Sequence, residues 1–235
     1  MARIVLVPGF WLGAWAWDEV AADLRGRGHD VVALTPPGRD PADPDRFTAT
    51  FEQQARAILD AAGDAEDVVV VAHSGGASAA YLATDYAPDR FRRAVYVDAA
   101  PVRDGFVIKG DLGDATEYPL PDWELFESEG TSLDGLDEAA LARFRERAVS
   151  EPASIAGAPL RLSDSPARLR VPTTVVCTSI TAELVRQLSA SGEAPAFEEI
   201  DRLADVTLLD LPTGHWPMWS EAKKLADLID AATVE

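Results

Sequence analysis

Val68-Val69-Val70-Val71-Ala72-His73-Ser74-Gly75-Gly76 is four β-branched residues running into a turn of small residues, and a helix-forming stretch, Ala77–Tyr86, follows directly. A continuous apolar run of this kind suits a parallel strand buried on both faces. The order strand, tight turn, helix with serine at the turn presents a hydroxyl clear of the sheet from a strained backbone position. Side chains two before and two after that serine would collide in so sharp a turn. Ala72 and Gly76 are small enough, which gives the pattern A-x-S-x-G. The amide of Gly75 then lies at a helix N-terminus, where unpaired N–H groups and partial positive charge gather. Ser74 is therefore a candidate nucleophile and Gly75 a candidate oxyanion donor.

The same alternation extends in both directions. Strands are predicted at Ile4–Val7, Asp30–Leu34, Val68–Ala72, Ala94–Val97, Thr173–Cys177 and Val206–Leu211. Helices are predicted at Trp15–Arg27, Thr48–Ala62, Ala77–Tyr86, Ala182–Leu188 and Ser220–Ala232. Nearly continuous apolar strands alternating with amphipathic helices predict an α/β fold of three layers, αβα, around a mostly parallel six-stranded sheet. The rhythm breaks over 101–169, where helix-like pieces, including Leu136–Val149, lie between Pro- and Gly-rich joints and no strand is evident. That stretch reads as a helical cap inserted into a core of 1–100 and 170–235.

Composition narrows the function. The chain has 235 residues, 47% of them hydrophobic, enough for one substantial core. No apolar run is long enough to cross a bilayer, and the opening MARIVLVPGF suits a first strand better than a signal peptide. A formal net charge of −19 repels nucleic acid and anionic membranes. The densest basic group, Arg90, Arg92 and Arg93, reads as a solvated helix exit. Cys177 is the sole cysteine, so the chain forms no internal disulfide and a reducing cytoplasm is the simplest home. His29, His73 and His215 are too scattered for a zinc site, and no metal or cofactor is expected. The expected partner is a small-molecule substrate, bound by a monomer or homodimer.

Two further segments bear on Ser74. The first predicted strand ends in Val7-Pro8-Gly9-Phe10-Trp11-Leu12-Gly13, a glycine-rich loop able to approach a reaction centre closely, with the Phe10 amide as a second oxyanion donor. Trp11, Trp15 and Trp17 read mainly as packing residues, with Phe10 and Trp11 also available to line a pocket. The last predicted strand leads into Pro212-Thr213-Gly214-His215-Trp216-Pro217. A neutral imidazole activates a serine hydroxyl near pH 7, which makes His215 the candidate base. His73 reads as packing or bonding locally, and His29 as a surface residue.

On Val7-Pro8-Gly9-Phe10, Ala72-His73-Ser74-Gly75-Gly76, Asp89-Arg90-Phe91 and Gly214-His215, the chain resembles the α/β-hydrolases, especially their small esterase and hydroxynitrile-lyase-like branch. The likeness covers all but the cap, and it implies a Ser-His-acid triad with a two-amide oxyanion hole. Two departures stand out. Pro8-Gly9 replaces a frequent His-Gly. The acid usual after the fifth strand is missing, because Ile180 takes its place. Two carboxylates are candidates instead: Asp98, after Ala94–Val97, and Glu183, one turn beyond the usual position. Without either, a Ser-His dyad remains.

Three functions stay open at this point. The first is hydrolysis of a small ester, lactone or thioester through an acyl-enzyme on Ser74, with Trp11 and the cap residues Trp123, Leu125 and Phe126 forming an apolar substrate pocket. The second is a lyase or cyclase reaction using the same Ser-His pair. The third is a catalytically degenerate binding protein on this scaffold.

Overall fold

A computed structural model describes residues 1–234. Six parallel strands form one sheet: β1 (Arg3–Val7), β2 (Asp30–Ala33), β3 (Val68–His73), β4 (Phe91–Val97), β7 (Thr173–Cys177) and β8 (Val206–Asp210). Their order is β2-β1-β3-β4-β7-β8. The chain leaves β1 toward one edge for β2, then returns to the other side of β1 for β3. Between β1 and β3 the connections therefore run to opposite faces, and a crevice opens outside the strand ends. Ser74 and the Phe10 loop sit at the two strand ends that border this crevice.

All six residues of β3 are buried, as the unbroken valine run requires. On one face α1 (Asp18–Gly26) packs against α9 (Ala222–Ala232), and on the other α2 (Phe51–Ala62) packs against α3 (Gly76–Tyr86). Helix α3 is buried from Gly76 to Asp85, and its alanines let it lie close to both the sheet and α2. Helix α7 (Ala182–Ser191) follows β7 and ends at Gly192 in the left-handed conformation, φ 68°.

Several predicted boundaries shift for local reasons. The helix expected from Thr48 begins at Phe51, because Thr50 and Gln53 form a reciprocal capping box. The helix expected from Trp15 opens as a 3-10 turn, Ala14–Trp17, before α1. Within 101–169 lie α4 (Trp123–Ser128), α5 (Glu138–Arg147), capped by Asp137, and the short α6 (Ala153–Ala156). Contrary to the sequence reading, this stretch also contains strands: β5 (Glu117–Tyr118) pairs antiparallel with β6 (Glu151–Pro152). Two residues are too few to leave an alternating pattern in the sequence. The remaining short helix, α8 (Pro217–Ser220), precedes α9.

Two side-chain expectations are also corrected. Arg93 lies in a strand and is buried, donating to Thr174 Oγ1 at 3.1 Å. His29 is covered rather than exposed, because α9 brings Asp230 to 2.7 Å from its Nε2. No helix among the described residues is long and apolar enough to cross a membrane.

His73, the last residue of β3, is wholly buried. Burial, with nearby His215 adding to it, pushes its imidazole down from 6.5 to about 3. The folded protein therefore holds His73 neutral where the unfolded chain would protonate it. Its contribution to stability is complete above the unfolded value and is lost as pH falls from about 6.5 toward about 3. Urea unfolding of the wild type and of His73→Gln across that range should show a shallower decline in the variant. Equal slopes would mean that His73 is not held neutral.

Candidate active site

Among the described residues, three other than glycine have positive φ: Trp11 (63°), Ser74 (49°) and Asp98 (45°). They follow β1, β3 and β4, three adjacent strands of the sheet. Such backbones cost on the order of 1–3 kcal/mol each and persist only where the surroundings over-determine them. At Ser74 the restraint is visible. Its amide donates to Val97 O at 3.2 Å, and its carbonyl accepts from Ala77 N at 2.9 Å.

Ser74 Oγ lies 2.8 Å from His215 Nε2, and His215 Nδ1 lies 2.6 Å from Asp98 Oδ2. A carboxylate at Nδ1 requires a proton there, which leaves Nε2 bare to accept from the serine hydroxyl. Asp98 is nearly buried and well supplied with donors. Its Oδ1 accepts from the amides of Thr178 and Ser179 at 3.1 and 3.0 Å, and its Oδ2 from Ser179 Oγ at 2.5 Å. Burial by itself pushes this carboxyl upward. Hydrogen bonds from His215 and Ser179 outweigh that and hold it well below the usual carboxylate range. The loop after β7, where the acid was expected, thus supplies a cradle for a carboxylate on β4's end. Glu183 takes no part in this arrangement, as its side chain is 70% exposed and bonds to Gln187 and Arg186 on its own helix.

The loop after β1 lies directly on the turn after β3. A Cβ on Gly76 would sit 2.5 Å from Pro8 O, and one on Gly75 would sit 2.4 Å from the Phe10 ring. A Cβ on Gly9 would meet His73 Nδ1 at 2.6 Å. The amides of Phe10 and Gly75 donate to no protein acceptor among the described residues. Two free N–H groups therefore flank the serine.

The loop carrying His215 is held from two sides. His215 N donates to Ser132 O at 2.9 Å and Gly214 N to Asp134 O at 3.1 Å, both acceptors from the inserted stretch. From below, neutral His73 donates through Nε2 to His215 O at 2.7 Å. That bond reaches across 142 positions, whereas the sequence suggests packing or a local bond for His73. Ser179 and the two insertion carbonyls escaped sequence reasoning altogether, because no motif marks a hydroxyl or a carbonyl that supports another side chain.

Beside Ser74 opens a cavity of about 200 Å³, lined mainly by apolar groups that include Ala100, Val102, Phe106, Ile108 and Phe197. Trp11, Trp123 and Phe126 do not line it. Phe126 instead packs edge-on against Trp11 at 5.2 Å and Trp216 at 5.5 Å, with Trp123 stacked on it at 6.0 Å. Leu125 faces solvent. These aromatics fasten the insertion to the end of the sheet. The part of the insertion that reaches the cavity is its first few residues, a Pro- and Gly-containing stretch with no periodic signal.

The model of the alpha/beta hydrolase family matches residues 4–228. Among curated relatives, esterase PIR7B of Oryza sativa subsp. japonica is 41% identical over 104 residues, which is 42% of this chain and 38% of that protein. A carbendazim hydrolyzing esterase of Nocardioides sp. (strain SG-4G) is 35% identical over 102 residues, 42% of each chain. The matched stretch thus spans about two fifths of these relatives. Among solved structures, an extracellular alpha/beta-hydrolase from a Paenibacillus species superposes with a TM-score of 0.77 at 24% identity, covering 99% of both chains. A methylesterase from Arabidopsis superposes with a TM-score of 0.76 at 17% identity over 100% of this chain and 99% of its own. With its parallel sheet, its serine turn and a family match spanning nearly its whole length, the chain belongs to the alpha/beta hydrolase family.

Proposed function

We propose that this protein hydrolyses small, neutral carboxylic esters through an acyl-enzyme on Ser74. The observation that carries the reading is the unbroken hydrogen-bonded line from Ser74 Oγ through His215 to Asp98. His215 Nε2 takes the serine proton as Oγ attacks the ester carbonyl carbon. The amides of Phe10 and Gly75 receive the developing oxyanion. The carbonyl re-forms, the ester C–O bond breaks, and His215 returns its proton to the departing alkoxide. Water then enters, gives a proton to His215 and attacks the acyl carbon. Ser74 leaves with that proton and the acid is released. Asp98 keeps the imidazole in the required tautomer and stabilises its charged form.

Esterase names among the curated relatives support the same reading. Although Ile180 stands where the usual acid lies, the contact of Asp98 with His215 supports a catalytic over a non-catalytic reading. The apolar cavity beside Ser74 suits an uncharged acyl group. Behind it lies a second space of about 70 Å³, lined by Val175, Ile180 and Val185 among others. Phe197 borders both spaces, so its ring limits the depth available to the acyl chain.

A fluorophosphonate probe should label wild type at Ser74 and should fail with Ser74→Ala and His215→Ala. Asp98→Asn should lower kcat by roughly 10⁴, as expected for loss of the orienting acid, while Glu183→Gln should match wild type. Absence of labelling at Ser74 in folded protein would sink the hydrolytic reading. On a series of p-nitrophenyl esters, Phe197→Ala should move the preference toward longer acyl chains, gaining roughly fourfold in kcat/KM for each added methylene that reaches the rear space. An unchanged chain-length profile would remove Phe197 as the limit.

A further inference from the structure

We propose that Arg39 is the positioning residue of the oxyanion site, fixing the Gly9–Phe10 peptide so that the Phe10 amide faces the Ser74 side of the loop. The proposal rests on the ester-hydrolase reading above and concerns a residue with no part in the hydrogen-bonded line.

Arg39 is 2% exposed. Its Nη1 donates to Gly9 O at 2.5 Å and to Leu12 O at 3.1 Å, and its guanidinium lies 5.5 Å from the centroid of the Phe10 ring. A peptide unit is planar, with C=O and N–H on opposite edges. Whatever holds the Gly9 carbonyl therefore decides where the Phe10 N–H points. Arg39 holds that carbonyl, and the Phe10 N–H on the opposite edge is left without a protein acceptor among the described residues.

The loop needs such a restraint. Position 9 must be glycine, because a Cβ there would meet His73 Nδ1 at 2.6 Å. Glycine, however, reaches nearly all of φ/ψ space and does little to resist rotation of the peptide that follows it. A rotated peptide would present the Gly9 carbonyl to a developing oxyanion, replacing attraction with repulsion. The other bond to that carbonyl, from Leu12 N at 3.4 Å, is too long to hold it firmly. A charge-assisted bond from a side chain that is itself immobile supplies the missing restraint.

Burying a guanidinium requires a counter-charge. Arg39 Nε is ion-paired with Glu151 of β6, and both side chains are essentially inaccessible. Burial pushes the Glu151 carboxyl upward, while Arg39 and the backbone amide of Trp11 pull it back. Through Arg39 the pair thus grips two carbonyls of the loop, those of Gly9 and Leu12. Val149 N adds a bond to Trp11 O at 3.0 Å.

Removing Arg39 alone strands Glu151 and threatens folding, so the informative variant is Arg39→Met/Glu151→Gln, which removes both charges and keeps the volume. It should unfold in urea cooperatively, with near-UV circular dichroism like wild type. With a p-nitrophenyl ester its kcat should fall roughly 10²-fold, the effect of losing one oxyanion donor, while KM stays close to wild type. Affinity for an alkyl trifluoromethyl ketone, which forms a tetrahedral adduct on serine, should fall in parallel with kcat. Arg39→Lys with Glu151 intact keeps a positively charged donor beside Gly9 O and the counter-charge to Glu151, and should recover part of the loss. A folded double variant with wild-type kcat would overturn the proposal while leaving the hydrolase reading intact. So would a loss confined to KM. A wild type that neither labels at Ser74 nor turns over esters would overturn both.

Discussion

Close packing of the loop after β1 on the end of β3 and the turn that follows it is the constraint on which the site depends. The loop after β1 rests on the turn after β3, and Gly9, Gly75 and Gly76 are each needed because a Cβ would strike a neighbour at 2.4–2.6 Å. That contact brings the free amides of Phe10 and Gly75 to the same serine. It is possible only where β1 and β3 are neighbours in register, Val7 beside Ala72, at the point where the connections diverge to opposite faces. Sheet order and site location are therefore one fact seen at two scales.

Much of this is legible in the sequence because it is carried by local steric rules. Continuous valine runs specify doubly covered strands, small residues flanking Ser74 specify the turn, and a histidine after the final strand stands where it can reach back to the sheet. What the sequence hides is support exerted over distance. Ser179, Ser132, Asp134 and Arg39 act on residues tens of positions away, through carbonyls or hydrogen bonds that leave no periodicity. Residues 101–169 show the same contrast. Their aromatic residues look like a pocket because Trp and Phe are common in pockets, yet Phe126 and Trp123 spend their apolar surface on Trp11, Trp216 and Phe144. The residues of this stretch that do reach the cavity are two aliphatics, Val102 and Ile108, and one phenylalanine, Phe106.

Residues 101–169 thereby join distant parts of the site. Their segment at Ser132–Asp134 binds the His215 loop, while Tyr118 and Val149 bind the Phe10 loop, Tyr118 through its carbonyl to Trp11 Nε1 at 3.0 Å, and Glu151 pairs with the Arg39 that holds it. The two loops leave the sheet from different strands and have no covalent reason to keep a fixed separation. A common clamp made by one inserted stretch gives them one.

Asp98 has a consequence of its own. A carboxylate on a loop must be immobilised separately, and each ordered loop residue costs roughly 1–2 kcal/mol of backbone entropy. Asp98 directly follows an interior strand, with its amide bonded to Val176 O at 2.8 Å on the neighbouring strand. Its backbone is ordered by the same event that forms the sheet. The loop after β7, relieved of carrying the charge, needs only to present two amides and a hydroxyl to it.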